Sequence, residues 1–109
     1  MHHNKIASLR KTWGLSQPEL AALLGVSRST VSRLEAGAHP VIFTALTLEA
    51  LFDAPARQVF PKQFASALDA LVPRLAEFSK KIEGRVDPQS VRKRELLSGF
   101  AGRDARLPI

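Results

Sequence analysis

Apolar residues recur at spacings of three and four along most of the chain, and short glycine-, proline- or serine-containing breaks interrupt them. That period is the mark of helices burying one face. Ile6, Leu9 and Trp13 fall on one face of a first helix over 4–13, which Gly14 is suited to stop. Ser16 and Glu19 match a capping box, and Pro18 falls in the first turn, where a missing N–H is harmless. They open a second helix whose inner face is Leu20, Leu23 and Leu24 and which ends at Gly25. Ser27 caps a third helix running to about Ala36, with Gly37 as its stop. Val31 and Leu34 then point inward, while Arg28, Ser29, Ser32 and Arg33 point outward. Ala38-His39-Pro40 reads as a connector to a fourth helix over 43–52, with Phe43, Leu46 and either Leu51 or Phe52 inward. Asp53-Ala54-Pro55 breaks the pattern ahead of one short turn through Val59 and Phe60, and Pro61 closes the unit.

The second half has a different character. Phe64, Leu68, Leu71, Leu75, Phe78 and Ile82 form a heptad-like seam. Pro73 lies within it, so a kink or a break into two helices is expected there. Gly84 ends this stretch, and Asp87-Pro88 caps a last helix over about 88–101. The pattern divides the chain into a domain over 1–61, a helical extension over 62–102 and a loose tail over 103–109.

Composition changes the picture in three ways. First, 45% hydrophobic and 24% charged residues in 109 suit a globular chain of one domain plus an appendage. Second, a net charge of +6 and a pI near 10.5 favour polyanionic partners. The excess is uneven: residues 1–53 hold five Lys/Arg and four Asp/Glu, and residues 54–109 hold eleven and six. Third, there are no cysteines, which removes disulfides, thiolate nucleophiles and Cys-containing zinc sites. No apolar run approaches a membrane span and no signal-peptide stretch opens the chain, so a soluble, cytoplasmic protein is expected. No nucleophile–base–acid set, glycine-rich phosphate loop or carboxylate pair can be placed, so neither enzyme chemistry, a cofactor nor a metal site is expected. His39 reads as a connector residue, and His2 and His3 as a frayed end with no partner cluster for a metal.

The second and third helices carry the chemistry. Two helices that cross steeply through a short turn need a small side chain at closest approach, and Ala21 supplies it. The turn needs a residue at ease with positive φ, which is Gly25. Val26, Val31 and Leu34 fill the space between the helices. These residues, with Ser16-Gln17-Pro18-Glu19-Leu20-Ala21 before and Val31-Ser32-Arg33-Leu34-Glu35-Ala36-Gly37 after the turn, resemble the Cro/lambda-repressor (XRE-type) helix-turn-helix family over roughly residues 4–60. The resemblance implies an all-α, five-helix unit whose third helix lies in the major groove of double-stranded DNA. It further implies that Gln17 binds a backbone phosphate, that Ser27 and Thr30 lean toward phosphates, and that Arg28, Ser29, Ser32 and Arg33 face base edges. An ion pair between Arg10 and Glu35 follows from the same comparison. Trp13 departs from the polar residue common at its place and is expected to cover the core edge, the alternative being that it extends a surface contact. The groove chemistry agrees: an α-helix fits, and arginine can grip guanine O6 and N7 together.

The expected function is a DNA-binding transcription regulator, a repressor acting as a homodimer on a two-fold operator. The seam from Phe64 to Ile82 is then the dimer interface, against the alternative that it packs back as ordinary core. An antitoxin-like protein, whose seam masks a toxin partner, is the other reading. Arg92-Lys93-Arg94 forms a solvated helix face or adds phosphate contacts.

Overall fold

In the computed structural model, which describes residues 4–107, the chain is all-helical among the described residues. The helices are α1 (Ile6–Thr12), α2 (Gln17–Leu24), α3 (Arg28–Glu35), α4 (Ile42–Phe52), α5 (Ala56–Val59), α6 (Pro61–Lys81) and α7 (Pro88–Arg103). They belong to two compact units, Met1–Ala65 and Ser66–Ile109. The division therefore falls inside α6, four residues beyond the expected boundary at Pro61. Gln63 accounts for part of this, because its Nε2 donates to the Gly37 carbonyl at 3.4 Å and holds the first turn of α6 to the first unit.

The first unit is built around Ile6, Leu20, Ala21, Leu24, Val31, Leu34, Leu48, Val59 and Phe60. Its helices start and stop where local chemistry dictates. The Glu19 N–H donates to Ser16 Oγ at 3.2 Å, and the Ser16 N–H donates to Glu19 Oε1 at 2.8 Å, closing the capping box of α2. Gly25 ends α2 at φ 70°, the left-handed conformation that disfavours a side chain. Ser27 caps α3, accepting from the Thr30 N–H at 3.1 Å. Asn4 ties the N-terminus in: its Nδ2 donates to the Leu34 carbonyl at 2.6 Å, and its Oδ1 accepts from the Ile6 N–H at 3.0 Å. Glu49 reaches from α4 to accept the Ala56 N–H at 2.8 Å and so caps α5.

Four inward assignments are corrected. Trp13 is the C-terminal cap of α1 rather than a helical position, and it is 69% exposed instead of lying at the core edge. Leu23 is also exposed. A helix that turns Leu20, Ala21 and Leu24 inward carries position 23 about 100° off that face. In α4 the inward residues are Thr44, Ala45, Leu48 and Phe52, not Phe43 and Leu46, which are exposed. The sequence Ile-Phe-Thr-Ala-Leu-Thr-Leu-Glu-Ala-Leu-Phe has no polar face, so spacing alone could not orient it.

The second unit is smaller. Ile82, Leu97 and Leu107 are buried together, with Leu75, Ala76, Phe78, Phe100 and Ala101 packed against them. Asp87 caps α7, accepting from the Ser90 N–H at 3.0 Å and from Ser90 Oγ at 2.8 Å. Pro73 sits within a continuous α6, so the chain does not break into two helices there. The expected loose tail is corrected for residues 103–107. Arg103 ends α7, Leu107 is buried, and Arg106 is held by Asp104 at 2.7 Å and by Asp69 at 2.6 Å. Residues 108 and 109, like His2 and His3, lie outside the described residues.

Candidate nucleic-acid interface

The geometry of α2, the turn and α3 sets out the site. Ala21 is buried beside Leu20 and Leu24 in α2, and Val31 and Leu34 are the buried residues of α3. Val26, in the turn, is half-buried against the same core. With that face inward, Arg28, Ser29, Ser32 and Arg33 are all exposed, Ser29, Ser32 and Arg33 on the opposite side of α3 and Arg28 at its flank, about 90° from the buried face.

Hydroxyl groups gather at the start of α3. Ser27 Oγ lies 2.9 Å from Thr30 Oγ1 and 3.3 Å from Ser29 Oγ. Arg33 Nη2 donates to Thr30 Oγ1 at 3.2 Å, which lays that guanidinium along the helix surface. Arg28 stands in the first turn, between Ser27 and Ser29.

Glu35 is the one acidic residue in α3, and the fold withdraws it from this face. Arg10 Nε donates to Glu35 Oε2 at 2.8 Å and Nη2 to Oε1 at 3.1 Å, with both side chains 11% exposed. Gln17 Nε2 donates to the same Oε1 at 3.2 Å, and Arg10 Nη1 donates to the Leu15 carbonyl at 2.8 Å. Burial on its own would raise the Glu35 carboxyl. The hydrogen bonds from Arg10 and Gln17, with the charges of Arg10 and Lys11, outweigh that and hold it below its ordinary value. The hydrogen bond to Glu35 in turn raises Arg10. The outward surface of α3 thus presents two guanidinium groups and several hydroxyls with no opposing carboxylate of its own.

Gln17 is therefore placed at the start of α2 but already committed to Glu35 through one amide N–H, leaving its second N–H to another acceptor. Of the seam residues, only Leu75, Phe78 and Ile82 share one core. Ile82 is buried in the second unit, and Leu75 and Phe78 pack on it, so these three serve the chain's own core. Phe64 and Leu71 remain 45% and 38% exposed, and Leu68 is half-buried. Arg94 of the basic run donates to the Ile82 carbonyl at 3.2 Å, while Arg92 and Lys93 are exposed. Among the described residues, no group of three or more His, Cys, Asp or Glu could hold a metal ion, and no helix is long and apolar enough to cross a membrane.

Sequence reasoning missed Asn4 and Glu49 as anchors. Asn4 carried a readable signal, an Asn two residues before the first helix; Glu49 carried none, since its partner is a backbone N–H beyond the helix end.

A family described as a helix-turn-helix domain matches residues 5–55. That stretch, just under half of the chain, is similar to a helix-turn-helix domain. It shares 48% identity over 50 residues with a protein of Methanocella arvoryzae and 46% over 52 residues with one of Pyrococcus furiosus. Both of those proteins carry the name "Putative HTH-type transcriptional regulatory protein". The matches cover 46% and 47% of this chain but only 15% and 16% of the relatives, so the likeness is to one segment of much longer proteins. Every residue of the Arg10–Gln17–Glu35 network and of α3 lies within the matched helix-turn-helix segment.

Proposed function

We propose that the chain is a DNA-binding transcription regulator whose α3 enters the major groove. The observation that carries this is the outward face of α3, where Arg28, Ser29, Ser32 and Arg33 are exposed and Glu35 is folded away beneath Arg10 and Gln17. The names of the two relatives support the same reading. In this account Arg28 and Arg33, with Ser29 and Ser32, meet base edges, while Gln17, Ser27 and Thr30 meet phosphates and fix the register. The chain acts as a repressor by occupying a two-fold operator as a homodimer, with half-sites about 10 bp apart.

Fluorescence anisotropy of the full chain on labelled duplexes tests the reading. Affinity should fall steeply with salt, because each neutralised phosphate contributes a slope near one in log–log form. Arg28→Ala should lose about tenfold or more on a preferred duplex and far less on random DNA, since a good bidentate base contact gives roughly 1–3 kcal/mol of discrimination. Gln17→Ala should weaken both duplexes alike. Equal losses on both duplexes from Arg28→Ala, or no binding to any duplex at low salt, would refute the assignment.

A further inference from the structure

Helix α4 is apolar on all sides, yet one side of it has no cover. Thr44, Ala45, Leu48 and Phe52 face the core. Ile42, Phe43, Leu46 and Ala50 fall within a stripe about 100° wide on the opposite side. Ile42 is 77% exposed, Phe43 75% and Leu46 54%, and Val41 just ahead of them is 69% exposed. A helix hydrophobic all round is ordinarily buried all round, and this one is half-finished.

We propose that this face of α4 is where a second copy of the chain docks, with Ile42, Phe43 and Leu46 of each copy packed across a two-fold axis. Three features favour a second copy. The first is charge. Residues 36–48 contain no Asp, Glu, Lys or Arg, so the face can meet its own image without like charges opposed. The only charged residue of α4, Glu49, is already engaged with the Ala56 N–H. The second is size. Ile42, Phe43 and Leu46 are 77%, 75% and 54% exposed and make an apolar patch of about a few hundred Å² on each copy, so a pair would bury under about 1,000 Å². That is the low end for specific association, and it fits a weak dimer that a two-site ligand completes. The third is place. Val41, the cap of α4, lines one surface cavity with Thr30 and Arg33 of α3, so the end of α4 that carries Ile42 and Phe43 adjoins α3. The exposed remnant of the α6 seam is a poorer candidate. Phe64 and Leu71 are less exposed than Ile42 or Phe43, and the same stretch of helix carries Lys62, Asp69 and Arg74.

The consequence for DNA rests on the DNA-reading proposal, whereas the assembly itself does not, and the test separates them. Sedimentation equilibrium of the full chain should show reversible monomer–dimer exchange with a dissociation constant in the micromolar to sub-millimolar range. Phe43→Glu and, independently, Leu46→Gln should each weaken the dimer by about tenfold or more while leaving the circular dichroism spectrum and melting temperature unchanged, because both side chains are exposed in the monomer. On a duplex with a single half-site, Phe43→Glu should bind as the parent does; on a duplex with two half-sites it should lose about tenfold or more. A parent chain that stays monomeric to about 1 mM overturns the proposal. So does a dimer that both α4 substitutions leave intact and Leu71→Asp dissolves. Failure of the DNA-reading proposal gives a different pattern: no duplex is bound, and the α4 substitutions still dissociate the dimer.

Discussion

Glu35→Ala removes the acceptor at the centre of the helix-turn-helix domain. Arg10 Nε and Nη2 lose bonds of 2.8 and 3.1 Å, Gln17 Nε2 loses one of 3.2 Å, and Arg10 retains only the Leu15 carbonyl. An exposed ion pair contributes about 0–1 kcal/mol, whereas breaking a buried one costs about 3–5 kcal/mol because the surviving charge is stranded. At 11% exposure on both sides this pair lies nearer the buried limit, relieved somewhat by residual water. A loss of about 2–3 kcal/mol follows, equivalent to roughly 8–20 °C in the melting temperature of a unit this size. Arg10→Met should cost a similar amount, and the double variant should cost clearly less than the two single losses combined, with a coupling of about 1–2 kcal/mol. The pH dependence has a fixed sign. The folded carboxyl is depressed, so its stabilisation is complete above the unfolded value near 4.3 and fades as pH falls through the lower folded value. Glu35→Ala should flatten that acid limb. Urea unfolding followed by circular dichroism measures all of this. A single-variant loss below about 0.5 kcal/mol, or strictly additive singles, would show that the pair is a surface ornament and that α3 is held by its apolar contacts alone.

Other substitutions probe separate parts of the account. Gly25→Ala should destabilise by about 1 kcal/mol through its φ of 70°, since an added Cβ meets no heavy atom within 4 Å; a chemical melt that does not move would contradict the strained turn. Ile82→Ala should cost about 2–5 kcal/mol and Leu71→Ala under about 1 kcal/mol, because the first is buried and the second partly exposed; equal losses in urea titrations would mean that the seam is a single packed surface after all. Arg106→Ala should return Asp104 from about 2 toward the ordinary carboxylate range in an NMR titration, because the hydrogen bonds from Arg106 hold it down; an unshifted Asp104 would remove Arg106 as the anchor of the chain's last described turn.

The helix-turn-helix was legible because its constraints are local. A capping box, a glycine that must take positive φ, and serine caps are written in adjacent letters, and Ser16, Gly25 and Ser27 occupy those roles. Apolar spacing served where a helix has a polar face, as in α3, and failed where it has none, as in α4. It also failed at Trp13, where one residue decides whether a side chain belongs to the helix or to its cap. The seam of α6 shows a different limit. Heptad spacing says that a face is covered but not by what, and here α7 and Leu107 cover its second half. Contacts that depend on distant backbone groups, such as Asn4 to Leu34 and Gln63 to Gly37, left no periodic trace.

The central claim, that the outward side of α3 reads base sequence, is tested most directly by selecting bound duplexes from a random pool with the parent chain and with Arg28→Ala. The account predicts a two-fold motif with half-sites about one helical turn apart, and relaxed preference at one position per half-site in the variant. Recovery of unenriched sequences by the parent chain at low salt, or an identical motif from both proteins, would contradict it.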